Sequence, residues 1–171
     1  MQYDLSLLRQ VLDGVCEKAL ARLADAIKTH ERIFLCGAGR SGLMLKALAM
    51  RLAQAGRTAY VVGDCTTPAI EQKDLLLLAS ASGTTASVLR CAEIAHGIGA
   101  TVCTITATPH SRMAELSEVC VTLPAPTKDT PNAPCVMGTL FEQGLLLLAD
   151  ALLLQLDTDT AKLRARHANL E

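Results

Sequence analysis

The sequence predicts a single α/β domain, a three-layer α-β-α sandwich built on a five-stranded parallel sheet. Three observations predict it. Short, continuously apolar runs alternate with helical stretches, the pattern of strands covered by helices on both faces. Two of those runs end in turns rich in glycine or hydroxyl residues, GAGRSG and SASGTTAS, as strand-to-helix turns beside a ligand do. The 171 residues are 50% hydrophobic with Trp 0, Tyr 2 and Phe 2, so the core is aliphatic. Domains of roughly 100 to 200 residues are usual, and residues 1–171 are read as one.

Taken in order, Leu5, Leu8, Leu12, Val15, Ala19, Leu23 and Ile27 recur at spacings of three and four, which predicts one helix over 4–29. Arg32–Cys36 is a strand ending in the glycine turn, and Leu43–Ala55 a helix closed by Gly56. The unit then repeats: strand Ala59–Val62, short helix Thr67–Gln72, strand Leu75–Ala79, and helix Ser87–Ile98 ended by Gly99. Strands Thr101–Ala107 and Val119–Leu123 flank a short helix, Ser111–Leu116. Five strands in this arrangement point to a flavodoxin-like sheet, with ligands outside the carboxyl ends of the strands. The following PAPTKDTPNAP carries four prolines and reads as a surface loop. A leucine-rich helix over 138–156 and a terminal helix or tail over 158–170 complete the chain. Leucines nearly all round the former call for burial on several sides, hence a partner subunit.

Several function classes are excluded. Lys+Arg 16 against Asp+Glu 17 leaves no basic face for nucleic acid, and four aromatics cannot form base-stacking platforms. Seven cysteines occur singly, without a CxxC pair, and read as reduced core residues of a cytoplasmic protein. The start MQYDLSLLRQ lacks the basic and apolar segments of a secretory signal. Asp150 and Gln155 interrupt the richest apolar segment, so no membrane span is expected. No His, Cys or Asp spacing resembles a metal site, and none is expected.

Three constellations carry chemistry. In GAGRSG, Gly37, Gly39 and Gly42 match GxGxxG, and Asp64 closes the next strand about twenty residues on, as in a dinucleotide-binding turn. Any anion-holding turn wants the same glycines, and Arg40 and Ser41 offer a guanidinium and a hydroxyl suited to a small phosphate ester. SASGTTAS sets Ser80, Ser82, Gly83, Thr84 and Thr85 between an apolar strand and a helix. The hydroxyl loop alone reads equally well as an ordinary capped turn, but the two loops together make a cradle for one phosphorylated ligand. Third, Glu142 stands in the first turn of the leucine-rich helix. It is either a solvated carboxylate favoured by the helix dipole or a general base raised toward neutrality by Leu140 and Leu145. His30 and His96 read as solvated cations at helix ends and His110 as structural. His167, in a terminal segment able to reach another subunit, is a candidate acid or substrate ligand.

GAGRSG, SASGTTAS, MGTLFEQ and the terminal RHANLE occur in that order over essentially the whole chain. Together they resemble the sugar isomerase (SIS) domain family, and within it the 6-phospho-3-hexuloisomerases. The resemblance implies the same five-stranded fold and a homotetramer with terminal helices between subunits. It implies sugar-phosphate binding by Ser41 and the segment from Ser80 to Thr85, and Glu142 at the position of the proton-abstracting carboxylate. No cofactor is implied, and the implied pathway is formaldehyde fixation through ribulose monophosphate. The loop departs from the family's SGSGET at Ala81 and Thr84, and Val136 stands where proline is common. The competing readings are a non-catalytic sugar-phosphate module, an aldose-ketose isomerase and a small dinucleotide-binding domain.

Overall fold

A computed structural model describes residues 5–156 and 159–170; positions 4 and 158, where the first and last predicted helices begin, lie outside them. Five strands form the sheet: β1 (Arg32–Gly37), β2 (Thr58–Val61), β3 (Leu75–Ala79), β4 (Thr101–Thr106) and β5 (Val119–Thr122). They are parallel, in the order β2-β1-β3-β4-β5. The helices are α1 (Leu5–Asp13), α2 (Glu17–Thr29), α3 (Gly39–Gln54), α4 (Ala86–Ile98), α5 (Arg112–Glu115), α6 (Thr139–Leu154) and α7 (Thr160–Ala165).

The period of two in the strands divides the apolar runs between two cores. Ile33, Leu35, Leu75, Leu77, Cys103, Ile105 and Val121 pack with residues of α1, α2, α3 and α6. Their neighbours Phe34, Leu76, Leu78 and Val102 face the other way, onto Val88, Ala92 and Ala95 of α4 and Met113 of α5. Burial on both faces is the reason β3 and the middle of β1 read as unbroken apolar runs. Because α3 and α4 lie on opposite faces while β1 and β3 are neighbours, the chain diverges between these two strands. A crevice opens there beyond their carboxyl ends.

Four predicted elements need correction. The helix expected over 4–29 is two helices, broken between Asp13 and Glu17; Gly14 weakens the helix, and the Cys16 carbonyl starts a new one by accepting from Ala19 and Leu20. The segment Thr67–Gln72 is not helical. Pro68 lacks a donor, Thr67 Oγ1 bonds back to the Val61 carbonyl (2.5 Å), and the Asp74 carboxylate takes the Glu71 N–H (2.6 Å). The third helix starts at Gly39 rather than Leu43, which puts Arg40 and Ser41 inside its first turn. The terminal helix is confined to α7, capped by Asp159 accepting from the Ala161 N–H at 2.8 Å.

Two side-chain readings change as well. Cys16 and Cys65 are exposed, not core residues, while Cys36 and Cys103 are buried. His30 is half-buried at the end of α2, its Nδ1 2.7 Å from the Ala26 carbonyl and its Nε2 3.1 Å from Thr101 Oγ1. It is a bonded link between helix and sheet rather than a fully solvated side chain. At the amino ends of the central strands, Asp74 is fully buried (0% exposed). Arg32 meets it in a fork, Nε to Oδ1 at 2.8 Å and Nη2 to Oδ2 at 2.5 Å.

Candidate functional site

Beyond the carboxyl ends of β1 and β3 lies a cleft of about 480 Å³, lined from four stretches of chain. Ala38 and Ser41 come from the glycine turn, and Ala79 to Ser82 with Thr84, Thr85 and Ala86 from the hydroxyl loop. Thr127, Lys128 and Asp129 come from the proline-rich segment, and Met137, Gly138 and Glu142 from the start of α6. The helices α3, α4 and α6 begin at this cleft, after Ala38, Thr85 and Gly138, and none of the three has a side-chain cap. Each helix start carries unsatisfied N–H groups and about half a positive charge. Three of them at one cavity make an anion site.

The glycine turn is tight because strand and helix touch through backbone. A Cβ on Gly42 would stand 2.5 Å from the Gly37 carbonyl oxygen, and one on Gly37 3.0 Å from the Gly42 Cα. Contact this close brings the α3 start directly onto the end of β1. Cys36, immediately before the turn, is buried, and that burial pushes its thiol up to about 12.

The hydroxyl loop is held from within. Ser80 is only 4% exposed; its Oγ accepts from the Gly83 N–H (3.2 Å) and lies 2.9 Å from Thr85 Oγ1. This bond diverts Thr85 from capping α4 and leaves the helix start open. The Ala81 carbonyl accepts from the Ala107 N–H (3.1 Å), Thr106 Oγ1 (3.2 Å) and Thr108 Oγ1 (3.1 Å), which ties the loop to the end of β4. Gly83 does not line the cleft; it sits at φ +63°, and a Cβ there would fall 2.0 Å from Ser111 Oγ. The Gly83→Ala variant is therefore expected to lose about 3 kcal/mol, overpacking added to left-handed strain, checked by urea unfolding. Ser111 Oγ is itself buried without a hydrogen-bond partner. Ser111→Ala should in contrast stay within about 1 kcal/mol of the parent or exceed it.

Glu142 reaches the cleft from the first turn of α6. Its side chain is 16% exposed and is ion-paired through Oε2 with Nε of Arg40, which is 61% exposed at the rim. Leu140 and Leu145 are buried in the core, and the group that stands against the carboxylate is a guanidinium. Met137, just before the helix, adopts φ +54°, a left-handed backbone that is uncommon for a side-chain-bearing residue.

The structure thus brings Ser41, Ser80, Ser82, Thr84, Thr85 and Glu142 to one cleft and joins Arg40 to it through Glu142. It does not bring His167 there. The Arg166 guanidinium packs over Gly56 and donates to the Gln54 carbonyl at 3.4 Å, so the terminal segment sits by the far end of α3. A helix of 16 residues is about 24 Å long. His167 of the same chain therefore does not reach the cleft, and its Nδ1 lies 3.1 Å from the neighbouring Ala168 carbonyl. Thr127, Lys128 and Asp129 were not expected at the site. The available signal was a cation flanked by hydroxyls in PTKDT. Among the described residues no group of acidic, histidine and cysteine side chains could hold a metal ion, and no helix is long and apolar enough to cross a membrane.

Residues 26–149 match the SIS domain model. The chain belongs to the SIS domain family. It is 41% identical over 179 residues to the 3-hexulose-6-phosphate isomerase of Mycobacterium gastri, covering 98% of this chain and 90% of the relative. To the 3-hexulose-6-phosphate isomerase of Bacillus subtilis it is 39% identical, covering 88% and 85%. Among solved structures, this SIS chain superposes with a TM-score of 0.85 and 29% identity on a Methanococcus jannaschii protein, covering 98% of each chain. The structure of that protein infers a molecular function of 3-hexulose-6-phosphate isomerase. The relatives from M. gastri and M. jannaschii each match 98% of this chain.

Proposed function

We propose that this SIS protein interconverts 3-hexulose 6-phosphate and fructose 6-phosphate through a 2,3-enediol. One observation carries the reading: three uncapped helix starts and a hydroxyl loop face the same cleft as one largely enclosed carboxylate, Glu142. An anion site beside a base is what proton abstraction from a phosphorylated sugar requires, because contacts at the phosphate position the distant reacting carbons. The names of the relatives from M. gastri and B. subtilis support the choice of substrate.

Ser41, Ser82, Thr84, Thr85 and the amides of the helix starts hold the phosphate end, with Ser80 and Gly83 shaping the loop beneath them. Glu142 takes the proton from carbon 2 of the 3-ketose and returns it to carbon 3, while the hydroxyl proton passes from oxygen 2 to oxygen 3. Arg40 keeps the carboxylate aimed. His167 of a neighbouring subunit, or a water, serves the oxygen-to-oxygen transfer. One C–H bond breaks and one forms with no net redox change, so no redox cofactor is involved. A 3-ketose whose oxygen 6 is phosphorylated cannot close a five-membered ring through that oxygen, and it enters open-chain.

The same reading includes a homotetramer in the cytoplasm, serving formaldehyde fixation. Leu43 and Met50 of α3, and Leu147 and Leu154 of α6, are exposed at seven-residue spacings on two helices that pack together. Such an apolar face supports burial between subunits.

The test is to incubate the protein with fructose 6-phosphate in heavy water and locate deuterium by NMR. Label at carbon 3, with a 3-ketose appearing, is expected. Label at carbon 1 would instead make the protein an aldose-ketose isomerase, and binding without exchange would leave a non-catalytic module.

A further inference from the structure

We infer that Lys128 is the cation that meets the ligand's phosphate, so that the proline-rich segment sets the preference for a phosphorylated sugar. This deepens the reading of the cleft as a sugar-phosphate site and rests on it. The charges in the cleft lead to the residue. Its lining holds three charged side chains, Lys128, Asp129 and Glu142. The cation at the rim, Arg40, is engaged by Glu142. A phosphate monoester brings a charge of about −1.5 to −2 at neutral pH. The helix starts offer oriented amides and partial charges but no net charge. Lys128 is the lining cation, and among the described residues it makes no ion pair. Asp129 beside it sharpens the need, because without the lysine the lining would hold two carboxylates and no cation.

The lysine is also presented on a built turn. The Thr127 N–H donates to Thr130 Oγ1 (2.9 Å), the Thr130 N–H to the Thr127 carbonyl (3.1 Å) and the Asp129 N–H to Thr127 Oγ1 (3.3 Å). Pro126 and Pro131 stiffen the chain on either side. Lys128 is exposed, so its replacement does not threaten the fold, and its flexible stem lets the ammonium settle on a phosphate as a point charge.

The test compares Lys128→Met and Lys128→Arg with the parent in two measurements, calorimetric titration with inorganic phosphate and steady-state kinetics. For Lys128→Met, phosphate affinity is expected to fall and KM to rise by about 10- to 100-fold, the scale of one hydrogen bond between charged groups. Its kcat should stay within about threefold of the parent, as expected for binding shared by ground and transition states. Lys128→Arg should restore most of the loss. Unchanged phosphate affinity in Lys128→Met would overturn the inference, as would a fall in kcat at constant KM, which would place the lysine at the reacting carbons. No phosphate affinity in the parent would also overturn it. If the parent binds phosphate but isomerises nothing, the proposed function fails while the titration still decides the role of Lys128.

Discussion

Replacing Glu142 with Gln is expected to lower kcat by about 10²- to 10⁴-fold, the usual contribution of a positioned general base. Fructose 6-phosphate should still bind within a fewfold of the parent affinity. The side chain is isosteric, and the helix starts and hydroxyl loop proposed to hold the phosphate are untouched. The variant also releases Arg40 from its ion pair. That freed guanidinium is a second cation at the rim, so tighter rather than weaker binding of the phosphorylated ligand is the expected direction. Deuterium incorporation separates the role of base from that of mere neighbour: exchange should vanish along with turnover. A variant that still exchanges at carbon 3 at the parent rate would remove Glu142 from the chemistry.

The second large effect lies at the opposite end of the strands. Asp74 is fully buried and receives a fork of two bonds from Arg32 and a third from the Glu71 N–H. Removing one partner of such a pair leaves the other uncompensated, and Asp74→Asn is expected to cost about 3 kcal/mol. In a chain of this length that is a drop in Tm of roughly 6–12 °C. The pH dependence has a definite sign. The Arg32 guanidinium, outweighing the opposing effect of burial, holds the Asp74 carboxyl below the usual carboxylate range. Its stabilisation is therefore fully present above the unfolded pKa of about 3.9. It is lost as the pH falls through the lower, folded value. Urea unfolding should show a constant gap between parent and variant from about pH 5 upward and a shrinking one below about pH 4. A gap that is unchanged at low pH would mean that packing, not charge, carries the effect.

The central strands were legible in the sequence because burial on both faces writes them as apolar runs, and each observed strand starts and ends within one residue or so of the expected one. The division of the first helix was not, because Leu12, Val15 and Ala19 carry the helical spacing straight across the break. The false helix after β2 failed for a different reason. One of its backbone donors, the Glu71 N–H, is claimed by Asp74, a residue that tertiary pairing with Arg32 fixes in place. At the cleft, GAGRSG and SASGTT were legible since each sits in a turn whose neighbours determine it. The ion pair of Arg40 with Glu142 joins residues 102 apart, and no local pattern announces it. Lys128 was hidden by its setting, for a proline-rich stretch looks the same whether it hangs in solvent or folds back over a cleft.

The convergence of α4 and α6 on one cleft acts as a ruler. In the proposed site a ligand is anchored by its phosphate at the start of one helix and offered to a carboxylate in the first turn of the other. The carbon that loses its proton is then chosen by the span between the two helix ends. Regiochemistry becomes a length, fixed by rigid elements rather than by a dedicated recognition group for each carbon. A neighbouring specificity, abstraction one carbon nearer to or farther from the phosphate, would need only a shift of one helix along the sheet, with the same residues in the same roles.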